Sequence, residues 1–232
     1  MDFDLGLLTA GPYHEQLVAG FWLSLKLAAI TLVLALPLAL VVAVLRLTPS
    51  RVLQGIGFGF VEAIRNVPLL AHILFWYFGA PELLPEGLKR WLYSGNIEAA
   101  AAVIALTLYT TAYMSEDIRS GVRSVPREQL EAARALGFGF LPSMRLVVLP
   151  QALRITVPPL ISQGLSLWKN TSMAMVVGVA EMMYQAQQVE SATFRGFEAF
   201  AFATAGYLTV SLLISGLATL YEHRQALATR GR

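Results

Sequence analysis

The stretch LVAGFWLSLKLAAITLVLALPLALVVAVL, residues 17–45, contains one charged residue, Lys26, and is otherwise almost wholly apolar. A helix needs about 20 consecutive apolar residues to cross the hydrocarbon core of a bilayer. Residues 17–45 exceed that length, so they predict a membrane-spanning helix, in which Pro37 is expected to produce a kink. This one segment already indicates a membrane protein.

The composition of the whole chain agrees with that class. Its 232 residues are 56% hydrophobic and 14% charged, whereas a soluble domain carries about 25% charged residues. Four further apolar segments follow the first, at residues 57–80, 97–115, 155–180 and 199–221. The third span is rich in Ala, Leu and Thr, which suits a close-packed inner helix, and the fourth contains a polar break. We predict an all-α polytopic membrane protein with about five transmembrane helices in a single domain, residues 1–232.

The distribution of basic residues predicts the orientation of these spans. Most of them follow the first, third and fifth spans: Arg46, Arg51, Arg119, Arg123, Arg127, Arg134, Arg145, Arg154, Arg224, Arg230 and Arg232. The opposite side holds only Lys89, Arg90 and Arg195. By the positive-inside rule, the N-terminus is expected outside and the C-terminus in the cytoplasm. The acidic start, MDFDLGLLTAGPYHEQ, lacks the basic flank of a signal peptide, so the first span is expected to remain in the mature protein.

Several kinds of chemistry find no support in the sequence. The net charge is only +2 and the basic residues are dispersed, so no nucleic-acid-binding stripe is expected. Cysteine is absent, which excludes disulfides and thiolate metal sites. The three histidines are scattered, and no lysine follows a glycine as a nucleotide-binding P-loop requires. We therefore predict no catalytic residues, no metal and no cofactor in this chain.

A compact charged segment, residues 126–150, separates the third and fourth spans. Pro126 can start a helix and Gly137 can end it, so PREQLEAARAL reads as a helix of about three turns. Leu130, Ala133 and Leu136 fall on one stripe at three-residue spacing. The residues alone leave two interpretations open: an amphipathic helix resting on the membrane surface, or a slim, alanine-rich helix that another protein approaches closely.

The sequence of this segment resembles a known motif. Glu131-Ala132-Ala133, three residues, Gly137, nine residues and then Val147-Val148-Leu149-Pro150 is similar to the EAA loop of ABC importer permeases, with Val147 in place of the usual Ile. The likeness extends through RNVPLL, QALRITVPPLISQG and LWKNTSMAMVVGVAEM. In these motifs the sequence most resembles permeases for polar amino acids, especially those of the glutamate/aspartate branch. The resemblance implies a type I importer permease core in a bacterial cytoplasmic membrane.

The resemblance also implies partners and a mechanism. The segment would be a coupling helix that docks on a cytoplasmic ATPase dimer, with contacts at Glu131, Ala132, Ala133, Gly137, Phe138 and Pro150. That ATPase would bind ATP and Mg, and its closure would drive alternating access in the spans. A second permease, identical or a sister chain, would complete the pathway beside membrane lipid. An external substrate-binding protein would dock on the outer mouth, residues 81–96 and 181–198.

Ionisable residues inside the membrane are costly unless they are paired or solvated, so each is a functional candidate. Lys169, Asn170, Thr171 and Ser172 interrupt the fourth span. Lys169 would lie roughly 21 Å along a helix that starts at Ile155. This quartet either lines the substrate path, with Lys169 attracting a carboxylate, or is a structural break whose lysine pairs with Glu181 or reaches outward to the surface.

Two other polar groups are candidates of the same kind. Arg65 and Asn66 enter the second span, where the guanidinium group of Arg65 could hold an anion or simply pair with Glu62. Glu116 and Asp117 end the third span beside Arg119 and Arg123, and a solvated helix end is favoured there over a gate or an inter-subunit pair.

Two other functions remain alternatives. An ion-coupled secondary transporter or channel would work without ATP, although no inverted repeat is evident. A membrane scaffold would transport nothing.

Overall fold

The computed structural model describes residues 6–230, apart from the side chains of residues 7, 8 and 225–230, and the regular secondary structure in that range is helical. The α-helices are α1 (Gly6–Thr9), α2 (Pro12–Leu47), α3 (Arg51–Arg65), α4 (Leu69–Leu74), α5 (Glu86–Tyr93), α6 (Ile97–Arg123), α7 (Arg127–Ala135), α8 (Phe140–Ser143), α9 (Leu149–Asn170), α10 (Met182–Thr193) and α11 (Gly196–Arg230). Short π-helical or 3₁₀ segments extend several of them, at Phe75–Gly79, Ala80–Leu83, Met144–Val148 and Thr171–Val177. The predicted all-α class is confirmed. The side chain of Arg230 and all of Arg232, counted above in the charge pattern, lie outside the described residues.

Four helical stretches are long and apolar enough to cross a membrane: Pro12–Leu47, Ile97–Arg123, Phe140–Val177 and Gly196–Arg224. A fifth span exists if α3 and the segment Leu69–Leu83 are counted together, although their axes differ by 100°. About five spans are therefore confirmed. The predicted fourth span, 155–180, is extended at its start, because the helical path already begins at Phe140.

The predicted second span, residues 57–80, is not one continuous helix. Helix α3 ends at Arg65, and Asn66 caps it by donating its side-chain amide to the Glu62 carbonyl at 2.8 Å. Pro68 then prevents a smooth continuation, because it lacks an N–H group and restricts Val67 to extended conformations. The chain therefore turns sharply between two short helices.

Helix α6 is the centre of the bundle. In its most apolar 18-residue stretch, 56% of the residues are buried, compared with 28% or less in the corresponding stretches of the other three long spans. Small side chains allow this: Ala39 and Ala43 of α2 pack against Met114 and Ile118 of α6. At Gly121 a Cβ atom would lie only 1.9 Å from the Thr156 hydroxyl oxygen, so α6 and α9 meet where α6 has no side chain. The predicted close packing of this inner helix is confirmed.

Candidate functional site

Helix α7 has well-defined ends that its own sequence explains. Pro126 precedes the first helical residue, and the last one is Ala135. Gly137 has φ +87°, a left-handed conformation that glycine adopts without steric cost. Its N–H donates to the Arg134 carbonyl at 2.9 Å, and the Phe138 N–H donates to the Ala133 carbonyl at 3.1 Å. These two bonds form a Schellman cap, so Gly137 is needed to end the helix.

One side of α7 rests on the start of the fourth span. Ala133 is buried, and Leu130 packs beside Val125, Val148 and Ala152. The predicted stripe is wrong at its third member, because Leu136 is 79% exposed. The helix has already ended at Ala135, so the three-residue spacing no longer places Leu136 on the same face.

The opposite side of this region is open. Among the exposed residues that run from α7 into α8, we define six as the docking surface: Glu131, Ala132, Leu136, Phe138, Phe140 and Leu141. Leu136 and Leu141 are 79% and 75% exposed, which is unusual for such large apolar side chains in a charged segment. Pro150 is also exposed but belongs to the first turn of α9. The exposed apolar side chains of the docking surface are therefore suited to binding another protein.

A second feature is a cavity of about 550 Å³ between α9, α10 and α11. We call it the lysine cavity; it is lined by Lys169, Ser172, Met183, Ala203, Thr204, Tyr207, Leu208 and Ser211. Lys169 is exposed, and among the described residues it makes no ion pair. Several hydroxyl groups and one ammonium group therefore face the same space.

The other three members of the predicted polar quartet are placed differently. Thr171 is fully buried and donates its hydroxyl to the Trp168 carbonyl at 2.8 Å. Ser172 lines the lysine cavity but donates to the Lys169 carbonyl at 2.8 Å, which leaves its oxygen lone pairs for a ligand. Asn170 is half-buried and ends α9. Of the quartet, only Lys169 and Ser172 line this cavity.

Glu181 lies behind the cavity and does not pair with Lys169. Its carboxylate is fully buried and accepts hydrogen bonds from the Ser24 hydroxyl at 3.0 Å and the Tyr207 hydroxyl at 2.9 Å. It also accepts the Tyr184 N–H at 2.8 Å, capping α10. Because Tyr207 also lines the cavity, Glu181 fixes the direction of that hydroxyl. The sequence interpretation missed this role, although an acidic residue directly before a helix is a capping signal.

Arg65 and Asn66 do not join the lysine cavity. The Arg65 guanidinium carbon lies 4.9 Å from the centre of the Tyr113 ring, a cation–π contact. The predicted alternative, an Arg65–Glu62 pair, is replaced by a pair of Glu62 with Asn66 at 2.9 Å. Arg65 thus faces α6, and its part in transport stays a prediction.

The acidic end of α6 is bound into the bundle. Glu116 forms ion pairs with Arg46 of α2 and with Arg119, and its side chain is 20% exposed. Asp117 accepts a hydrogen bond from Gln163 of α9 at 2.9 Å. The favoured interpretation of a solvated helix end is therefore wrong: these carboxylates tie α6 to both neighbouring spans.

The sequence pattern of the family described as "Binding-protein-dependent transport system inner membrane component" matches residues 35–226. The chain belongs to this family. The permease is 39% identical to "Probable glutamine ABC transporter permease protein GlnM" of Bacillus subtilis, over 84% of this chain and 87% of the relative. It is 33% identical to "Glutamate/aspartate import permease protein GltJ" of Escherichia coli K12, over 91% of this chain and 88% of the relative.

A solved structure agrees with this assignment. The permease superposes with a TM-score of 0.83 on a chain of "an amino acid ABC transporter with histidines", at 30% identity, covering 97% of this chain and 100% of that one. The permease is thus the multi-pass inner-membrane subunit of an ABC amino-acid importer. In such transporters the ATPase is a separate subunit.

Proposed function

We propose that the permease imports acidic amino acids, with glutamate and aspartate as its substrates. The observation that carries this proposal is the lysine cavity, where the Lys169 ammonium group lacks an ion-pair partner among the described residues. No lining residue is acidic, so the cavity offers nothing to neutralise the side chain of arginine or histidine. A substrate with a net negative charge is the best electrostatic match.

The hydroxyl groups around Lys169 would orient such a substrate. Ser172 and Tyr207 line the same cavity as the Lys169 ammonium group, and both donate their hydroxyl hydrogens within the protein. Their oxygens could therefore accept hydrogen bonds from the α-ammonium group of the substrate, while Lys169 pairs with a carboxylate. The name of GltJ, a glutamate/aspartate permease, supports this substrate class. The name of GlnM makes glutamine the main competitor, and glutamine shares the α-carboxylate but not the second charge.

The docking surface would receive the ATPase dimer, which binds ATP and Mg and drives the cycle. Helix α7 contacts Val148, which directly precedes α9, and Ala152 near the start of α9, and Lys169 lies near the other end of that helix. At 1.5 Å per residue, Ala152 and Lys169 are about 26 Å apart along the axis. Movement of α7 would therefore reach the substrate through one continuous helix. Glu131, Ala132, Ala133, Gly137 and Phe138 form or support this coupling contact.

The remaining parts follow from family membership and the charge pattern. The N-terminus would be outside and the C-terminus cytoplasmic, which places α7 beside the ATPase. A second permease, identical or a sister chain, would complete the pathway. An external binding protein would deliver substrate to the outer mouth at residues 81–96 and 181–198.

The test is uptake into proteoliposomes that contain the permease, its ATPase and its binding protein. Labelled glutamate uptake should require ATP and be competed by aspartate more strongly than by glutamine or arginine. Uptake that persists without ATP would favour an ion-coupled transporter, and stronger competition by glutamine would overturn the acidic substrate class.

A matched pair of variants tests Lys169 itself. Lys26 is the other lysine within a long span, it is exposed, and it does not line the lysine cavity. Loss of one charged hydrogen bond corresponds to roughly 10-fold or more in affinity. Lys169→Met should therefore raise the KM for glutamate by at least that factor, whereas Lys26→Met should leave KM unchanged. Equal values in the two variants would remove Lys169 from substrate recognition.

A further inference from the structure

A pocket rich in arginine lies where the end of α2, the start of α3 and the end of α6 meet. We call it the basic pocket; its volume is about 330 Å³ and it is lined by Arg46, Arg51, Gln54, Gly55, Phe58, Arg119 and Arg123. It shares no residue with the lysine cavity or with the docking surface. Its chemistry therefore needs a separate explanation.

The pocket carries more positive charge than its neighbours neutralise. Glu116 forms ion pairs with Arg46 and Arg119. No lining residue is acidic, and among the described residues Arg51 and Arg123 make no ion pair. The pocket thus has four guanidinium groups, and one carboxylate pairs with two of them. An anion with several oxygen atoms would relieve this repulsion, and the planar guanidinium fork matches phosphate well.

The backbone adds to the same potential. Helix α3 begins at Arg51 and has 15 residues, so the positive end of its dipole lies at the pocket. The Ser50 hydroxyl accepts the Leu53 N–H at 3.5 Å, which leaves other N–H groups of the first turn without a side-chain cap. Helix N-termini of this kind favour phosphate groups.

An apolar surface borders the charged groups, and this indicates what kind of anion fits. The Phe58 ring is 54% exposed and lies 5.5 Å from the Arg46 guanidinium carbon. Val52 and Ile56, which follow Arg51 and Gly55 along α3, are 72% and 58% exposed. A ligand that fills the pocket and covers this face needs a phosphate at one end and hydrocarbon beside it. A free anion would leave the apolar face uncovered.

We propose that the basic pocket binds the phosphate group of an anionic phospholipid, whose acyl chains lie along the exposed Val52 and Ile56 face of α3. Clusters of arginine beside membrane helices recognise anionic head groups in this way. This site holds the corner between α2 and α3 at the membrane surface. It does not depend on the identity of the transported amino acid.

Lipid binding is measured by native mass spectrometry on the full chain, purified in detergent with the subunits that accompany it. Phosphatidylglycerol should bind more tightly than phosphatidylcholine. Each arginine near an anionic head group contributes about fivefold in affinity, so Arg51→Gln with Arg123→Gln should weaken phosphatidylglycerol binding roughly 30-fold. The control removes two exposed arginines outside the pocket, Arg145→Gln with Arg154→Gln, and should change affinity by less than about threefold if the site is specific.

A second variant separates lost binding from lost folding. A Cβ atom at Gly55 would meet nothing within 4 Å, and Glu is a better helix former than Gly. Gly55→Glu therefore places a carboxylate in the pocket without crowding it and should abolish the preference for phosphatidylglycerol at unchanged thermal stability. Equal binding of both lipids by the wild type would overturn the proposal. So would equal losses in the two arginine pairs, or displacement of the lipid by inorganic phosphate at the same concentration.

Discussion

Replacing Gly137 separates two reasons why a glycine could be needed at the end of α7. One reason is the backbone, since φ is +87°. The other is a close approach by the ATPase. Within the chain a Cβ atom at this position meets nothing within 4 Å, so neighbouring side chains add no steric penalty. Alanine pays about 1 kcal/mol for the left-handed conformation, whereas asparagine is tolerated there.

Gly137→Ala should therefore loosen the Schellman cap, and Gly137→Asn should keep it. A penalty of about 1 kcal/mol corresponds to roughly fivefold faster hydrogen exchange at the Phe138 amide, which donates to Ala133. The assay is amide hydrogen exchange on the detergent-solubilised permease, with the amides of α6 as internal reference. Identical exchange at Phe138 in the Ala and Asn variants would refute the backbone explanation.

The same position tests the coupling contact. Gly137→Asp adds bulk and charge at this position, and aspartate tolerates the left-handed backbone conformation better than most residues. We expect normal membrane insertion with loss of ATPase co-purification and of ATP-driven uptake. Gly137→Asn is the uncharged comparison. If the Asp variant retains its ATPase and transports normally, α7 does not dock closely at Gly137.

Two further predictions concern the bundle. Gly121→Val should destabilise the contact of α6 with α9 by about 3 kcal/mol, because a Cβ atom would lie 1.9 Å from the Thr156 hydroxyl oxygen. Thermal unfolding in detergent measures the loss, and an added Thr156→Ala should recover part of it; an unchanged melting temperature in Gly121→Val would contradict the packing. Ser24→Ala should cost about 1–3 kcal/mol, because it leaves the buried Glu181 carboxylate short of a donor. Ser162→Ala, at an exposed hydroxyl bonded within its own helix, is the control, and equal stability of the two serine variants would contradict the role of Ser24.

Local and repetitive features could be predicted from the sequence. The apolar segments indicated about five spans, and small residues indicated that α6 is internal. The ends of α7 followed from Pro126 and Gly137, because capping depends on residues a few positions apart. The EAA spacing indicated the family, which the relatives confirm.

Features that depend on distant contacts could not be predicted. Glu181 and Ser24 are 157 residues apart, so nothing local indicates that they share a hydrogen bond. The ion pair of Arg46 with Glu116 joins residues 70 positions apart, which is why the end of α6 was wrongly expected to be solvated. The 100° turn near Pro68 is different, because its signals are local: Asn66 and Pro68 both lie within residues 57–80, and the segment was wrongly predicted as one span without a break.

The buried Glu181 carboxylate has a consequence for how the transporter moves. It joins three separate helices, since Ser24 belongs to α2, Tyr207 to α11, and the capped N–H to α10. Pulling any one of them away would remove a donor from this buried carboxylate, a penalty of about 1–3 kcal/mol. We therefore expect these three helices to move as one rigid body during each transport cycle. The opening and closing of the pathway would then take place at the contacts between this body and the other helices, not between its own three helices.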